Sequence, residues 1–141
     1  MDAKSFPVGL TFDDILLIPD YASFSRNEIA LNTRLTKKIT LKAPFVSSPM
    51  DTVTESALSI ALAKMGGIGI IHRNMSIQNQ ADEVAKVRKE KLLVGAAVGA
   101  SANYLERVDA LIRANVSVIL VDSAHGFSKQ IICLLYTSDA A

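Results

Sequence analysis

Cysteine, excess charge of one sign and long apolar runs are all scarce in this sequence of 141 residues. Its single cysteine, Cys133, excludes a disulfide framework. Its 15 basic residues are matched by 14 acidic ones and form no basic run, which excludes nucleic-acid binding through bulk charge. A hydrophobic content of 50% with a net charge of +1 also excludes a disordered chain. What remains is a globular protein of about one domain by length.

No apolar run is long enough for a membrane span. The most apolar stretch, residues 57–71, is interrupted by Lys64 and is shorter than the roughly 18 residues that a spanning helix needs. Residues 1–12 contain Asp2 and Lys4 and lack the apolar core of a signal peptide. We therefore expect a cytoplasmic protein in a reducing setting, without membrane contact.

Short apolar segments alternate with amphipathic segments from Pro44 onward. The apolar segments predict strands over residues 45–48, 68–71, 92–98 and 116–121. Helical periodicity predicts helices over 54–65, from Ser76, from Ser101 or Asn103, and from about Phe127. Thr54 is the predicted cap of the first helix, and Gly66-Gly67 is its predicted end. Before Pro44 we predict a strand at 15–18, then a hairpin or two short strands within 29–41.

Apolar strands that alternate with amphipathic helices are typical of a parallel α/β sheet covered by helices. Two architectures fit this pattern, a doubly wound open sheet and a (β/α)8 barrel. The spacing of the strand–helix units, roughly 25 residues, is close to one eighth of a barrel of about 250 residues.

Polar side chains follow the predicted strands. They are Ser47 and Ser48 at the end of the first strand and Asp51 after it, His72, Arg73 and Asn74 after the second, Ser101 after the third, and Asp122, Ser123 and His125 after the fourth. Ligands of either architecture bind at these carboxyl ends. A carboxylate at the position of Asp122 suits hydrogen bonding to the hydroxyls of a ribose. Structural alternatives stay open: Ser48 as a turn residue, Asp51 as a helix start, and His72 and His125 as hydrogen-bonded structural residues.

Four segments together resemble IMP dehydrogenase. They are LTFDDILLIP at 10–19, VSSPMDTVTE at 46–55, GGIGIIHRN at 66–74 and VDSAHG at 121–126. The resemblance covers about residues 9–130 in the family's own order. It implies a (β/α)8 TIM barrel, of which about the first four strand–helix units are present. It also implies NAD-dependent oxidation of IMP to XMP, toward guanine nucleotides.

The resemblance also assigns site residues. Ser48 and Met50 match the loop that contacts the nucleotide substrate. Asp122 matches the carboxylate that binds the ribose on the nicotinamide side of NAD, with Ser123 beside it. The family's nucleophilic cysteine follows a later strand, so Cys133 does not match it and no catalytic residue is assigned. The resemblance further implies potassium, at a site outside this chain, and a homotetrameric parent protein.

Three departures from the family pattern keep alternatives open. Residues 88–92 join helix to strand directly, without the usual inserted CBS modules, a layout shared with NADPH-dependent GMP reductase. About half a barrel is present, so we expect the chain to be inactive alone. Residues 133–141 depart from the expected continuation, and we expect a non-native tail there. The predicted divisions are thus 1–43, 44–132 and 133–141. A non-catalytic half-barrel module that self-associates over its open edges is the third alternative.

Overall fold

The computed structural model describes residues 8–100 and 103–138. The chain divides into two compact units, an N-terminal unit of residues 1–30 and a sheet unit of residues 31–141. The domain division predicted at residue 44 stays a prediction. Among the residues that the structure describes, no helix has the length and apolar character to cross a bilayer.

Over its described residues, 8–30, the N-terminal unit consists of extended chain and two short 3₁₀ turns, Phe12–Asp14 and Arg26–Glu28. The strand predicted at 15–18 is wrong, because this segment has no hydrogen-bonded neighbour strand in the described part of the unit. Leu16 and Leu17 are 93% and 98% exposed there. An apolar run becomes a strand only where a partner supplies the ladder, and sequence alone cannot reveal that partner.

The sheet unit begins with an antiparallel hairpin of β1, Thr33–Arg34, and β2, Thr40–Leu41. Its turn is stabilised by Thr36, whose Oγ1 accepts the backbone N–H groups of Lys38 and Ile39 at 3.2 and 3.0 Å.

A parallel sheet follows, with strands β3, Gly69–Ile71, β4, Val94–Val98, and β5, Val118–Val121, in the order β3-β4-β5. The strand predicted at 45–48 is reduced to one parallel bridge, Val46 to Ile68. The ladder stops there because the hydroxyl of Ser47 accepts the N–H of Ile70 at 3.1 Å, where a backbone carbonyl would have continued the pairing.

In the described ranges, four helices connect and follow these strands. They are α1, Ser56–Lys64, α2, Ile77–Lys89, α3, Tyr104–Arg113, and α4, Lys129–Ser138. The end of α1 is a Schellman motif, in which the N–H of Gly67 bonds the carbonyl of Leu62 at 3.0 Å. Gly66 has a φ of 93°, a conformation that glycine adopts without strain.

The last helix contains part of the predicted tail. It continues through Ser138 and includes Cys133, which is exposed. Of the two predicted starts of α3, Asn103 is the residue before the helix, and Ser101 lies outside the described residues.

Both faces of β3 and β4 are covered. One face packs against α2 and α3 through a cluster of Ile71, Val84, Val87, Val94, Ala96, Val98 and Leu111. The other packs against the hairpin segment through Leu41, Ile68, Ile70 and Ala97. Because successive strand residues point to opposite faces, burial on both sides demands continuous apolar runs. The predicted α/β class with a parallel sheet is confirmed.

Replacement of Ser76 by alanine is expected to lower the free energy of unfolding by about 1 kcal/mol. Ser76 caps α2, and its Oγ accepts the N–H of Asn79 at 3.1 Å. Ser76→Thr keeps a hydroxyl oxygen at this position and should lower the free energy of unfolding by only about a few tenths of a kcal/mol. Urea unfolding of both variants measures the difference, and equal midpoints for the two would contradict a capping role.

Candidate functional site

The loop before α1 is built around Thr54, which is fully buried. Its hydroxyl donates to the carbonyl of Ser48 at 2.6 Å, and its backbone N–H donates to the carbonyl of Met50 at 3.1 Å. The predicted helix cap at Thr54 is therefore wrong, because Thr54 uses its hydroxyl to fold the preceding loop. The two predicted substrate residues, Ser48 and Met50, lie in this loop with exposed side chains, and Met50 is 57% exposed.

Glu83 caps the start of α1 from a different helix. Its Oε2 accepts the N–H of Ser56 at 2.7 Å, and its other oxygen is paired with Lys86. Burial opposes ionisation of this carboxyl, but the hydrogen bonds from Lys86 and Ser56 outweigh it and lower the pKa of Glu83 below its usual value. α1 and α2 are thus joined at the site edge by an ionised carboxylate.

His72 follows β3 and is buried, with 2% of its surface exposed. Its Nδ1 accepts the N–H of Asn74 at 3.1 Å, so the proton belongs on Nε2, which lies 3.4 Å from Oε1 of Glu55. The backbone N–H of His72 donates to the carbonyl of Thr54 at 3.3 Å. These bonds fasten the loop after β3 to the loop before α1. The geometry favours the structural alternative for His72.

Asp122, the predicted ribose ligand, follows β5 and bonds Arg73. The Nε of Arg73 donates to its Oδ2 at 3.1 Å, and the backbone N–H of Asp122 donates to the carbonyl of Val98 at 2.8 Å. Ser123 is exposed beside it, and its Oγ accepts the N–H of His125 at 3.3 Å. The carboxylate therefore has a defined direction at the carboxyl edge of the sheet.

Hydrogen bonds connect the three loops that carry the predicted site residues. Asn74 donates to Oδ2 of Asp51 at 2.5 Å, which joins the loop after β3 to that of Ser48 and Met50. Arg73, the neighbouring residue, joins it to Asp122. Asp51, Asn74 and Arg73 thus link the loop of Ser48 and Met50 indirectly to Asp122.

A polar cavity of about 440 Å³ lies beside the first two of these loops. Its lining includes Asp51, Glu55, His72 and Asn74, but neither predicted substrate residue. Within the described ranges, no group of three histidine, cysteine or carboxylate side chains could hold a metal ion. The carboxylate, amide and imidazole lining of the cavity makes it a polar cleft.

Gln80 and Arg107 were not among the residues predicted from the sequence. Gln80 is fully buried, and its amide donates to the carbonyl oxygens of His72 and Ala97 at 3.1 and 2.9 Å. Arg107 donates to Oε1 of Gln80 at 2.8 Å and to the carbonyl of Met75 at 3.1 Å. Burial, and then the nearby charge of Arg73, lower the pKa of Arg107. One signal existed in the sequence, since Gln80 shares a helix face with buried Val84 and Val87.

Comparison with known proteins identifies similar chains. The family model described as IMP dehydrogenase / GMP reductase domain matches residues 9–138. An inosine-5'-monophosphate dehydrogenase of Cryptosporidium parvum is 38% identical over 175 positions, covering 94% of this chain and 43% of the relative. The enzyme of that name from Borreliella burgdorferi is 39% identical over 185 positions, covering 96% and 46%.

A third relative is more similar over a shorter region. The inosine-5'-monophosphate dehydrogenase of Aquifex aeolicus is 56% identical over 88 positions, covering 62% of this chain and 18% of the relative. The chain spans less than half of the length of the curated relatives that it matches.

Proposed function

Because the chain belongs to the IMP dehydrogenase / GMP reductase family, an oxidoreductase family, we propose that it forms part of the nucleotide-binding surface of an enzyme that oxidises IMP to XMP with NAD. The observation that carries the proposal is the carboxylate of Asp122, directed by Arg73 at the carboxyl edge of a parallel sheet. Ligands of parallel α/β folds bind at this edge.

Asp122 is the proposed ligand of the ribose on the nicotinamide side of NAD. A carboxylate offers about four lone-pair positions, so the bond from Arg73 leaves acceptors for the two ribose hydroxyls. The bond from its backbone to Val98 fixes its depth at the strand end. Ser123 offers a further exposed hydroxyl beside it. NAD, when bound, supplies the hydride acceptor.

Ser48 and Met50 are the proposed contacts to the nucleotide substrate. Thr54 fixes the backbone around both residues, so their exposed side chains start from a defined loop. The hydroxyl of Ser48 suits a polar group of the nucleotide. The polarizable thioether of Met50 suits the face of a purine.

The proposed complete fold is a (β/α)8 barrel. The support is that Val46, β3, β4 and β5 are parallel neighbours in chain order, with a helix between each pair. These elements would be its first four strand–helix units. We also propose that the chain alone is inactive, because its one cysteine, Cys133, lies in α4 and not in a loop after a strand. Potassium binding and a homotetramer belong to the proposed parent enzyme.

GMP reductase is the second candidate. The favouring observation is the direct connection from α2 to β4, in which Lys91 turns the chain with a φ of 60°. The reductase would use NADPH, so the preferred dinucleotide distinguishes the two candidates. The relatives described above are dehydrogenases by name, which favours NAD.

Replacement of Asp122 by asparagine is expected to weaken NAD binding by about tenfold or more, because hydrogen bonds to a charged group contribute about 1.5–3 kcal/mol. Calorimetric titration of the 141-residue chain and of the variant with NAD measures this loss of affinity. Titration of the unmodified chain with NADPH measures which dinucleotide is preferred. Asp109→Asn, at an exposed position of α3, is the matched control and should bind as the unmodified chain does. Absence of NAD binding by the unmodified chain, or equal affinities for both variants, would contradict the proposal.

A further inference from the structure

The ends of β3 and β5 are bridged by a side chain although these strands are not neighbours. Arg73 follows β3, Asp122 follows β5, and β4 lies between them. The guanidinium crosses the end of β4 at Gly99, where an added Cβ would lie 3.0 Å from its Cζ. The geometry of the bridge therefore depends on how the segments that follow β3 and β5 are each attached to β4.

The β5 side of this bridge is fixed by the sheet itself. The N–H of Asp122 bonds the carbonyl of Val98, one residue before Gly99. The β3 side lacks this kind of bond, because the β3–β4 ladder has its last pair at Ile71 and Ala96. His72 and Arg73 come after that pair.

We propose that the side chain of Gln80 connects the two strands where the β3–β4 ladder ends, and that Gln80 is the positioning residue for the Arg73–Asp122 bridge. Its amide nitrogen has two protons and donates to His72 on the β3 side and Ala97 in β4, and the carbonyl of Ile71 is 3.3 Å away. The carbonyl before Arg73 is thus tied to β4 through a side chain from α2. Inside a fully buried pocket such bonds have no water to replace them.

Arg107 fixes the direction of this amide. A glutamine amide can turn by half a rotation, which would exchange its oxygen and nitrogen. The guanidinium of Arg107 is a donor without an acceptor, so it selects the orientation in which Oε1 faces α3 and the nitrogen faces the strand ends. The inference rests on the proposed function only in its last consequence, that loss of the bridge weakens NAD binding.

The test observes the bridge directly by NMR. In the ¹⁵N-labelled 141-residue chain, the Nε–Hε signal of Arg73 is identified by its loss in Arg73→Lys and by its shift in Asp122→Asn. Gln80→Met has similar length and no amide. We expect it to move this signal to the position of exposed, unpaired arginines and to weaken NAD binding, because the Asp122 carboxylate loses the partner that directs it. Gln78→Met, at an exposed position of the same helix, should change neither.

An unmoved Arg73 signal in a folded Gln80→Met chain overturns the proposal. If Gln80→Met does not fold, Arg107→Met decides, because methionine lacks the donor that orients the Gln80 amide. An Arg73 signal at the position of unpaired arginines in Arg107→Met supports the proposal, and an unmoved one overturns it. Failure of the unmodified chain to bind NAD would count against the proposed function alone, since the NMR readout needs no nucleotide.

Discussion

Replacement of Gly69 by valine is expected to lower the free energy of unfolding of the sheet unit by about 3 kcal/mol or more, the upper range for overpacking. Gly69 lies in β3 where α1 crosses it. A Cβ at this position would lie 2.2 Å from Oγ and 2.5 Å from Cα of Ser59. Because one of these atoms belongs to the helix backbone, a rotamer change cannot relieve the clash, and α1 would have to move away from the sheet.

Thermal and urea unfolding of Gly69→Val measure this loss. Gly126→Val is the matched control, because an added Cβ at Gly126 meets nothing within 4 Å. It should leave the midpoint within the small range of surface substitutions, about 0.5 kcal/mol. A Gly69 variant as stable as the Gly126 variant would show that α1 does not approach β3 this closely.

Replacement of Leu111 by alanine is expected to cost about 2–5 kcal/mol, because it leaves a cavity beneath α3. Leu111 is fully buried and belongs to the cluster that packs the helices on the sheet. Leu105 lies on the same helix but is 62% exposed, so Leu105→Ala is the matched control. Its expected loss is within about 0.5 kcal/mol. Equal losses in urea unfolding would contradict the packing of α3 described above.

The sequence was most informative where a whole element repeats one physical requirement. Each residue of β4 is buried, so an unbroken apolar run over 92–98 was enough to predict the strand. Ser76 followed by a periodic apolar face was likewise enough to predict the start of α2. These features depend on neighbours along the chain, which a sequence displays directly.

Predictions failed where a single side chain makes a distant contact. Thr54 has the right chemistry for a helix cap, but its partner is the carbonyl of Ser48 in the loop before it. Ser47 interrupts the expected first strand through a bond to Ile70, 23 residues away. Nothing local in the sequence distinguishes these uses of a hydroxyl from the ordinary ones.

Some features of the candidate site could likewise be predicted from the sequence, and others could not. The position of Asp122 at the end of an apolar strand could be predicted, and its ribose role came from the family resemblance. Its pairing with Arg73, 49 residues earlier, could not be predicted, because it requires a side chain to cross an intervening strand. Gln80 was detectable in principle as a polar residue on an apolar helix face, but only the structure identifies the carbonyls that it bonds.

The sheet order also has a consequence for assembly. In the part of the chain that the structure describes, β5 has β4 as its one sheet neighbour. Its other side therefore presents backbone donors and acceptors at the fixed repeat of a parallel ladder. Such an edge acts as a template, because a strand that pairs with it satisfies these groups, whereas a slip by one residue turns each side chain of that strand to the other face. The free edge of β5 therefore determines the alignment of any strand that would extend the sheet.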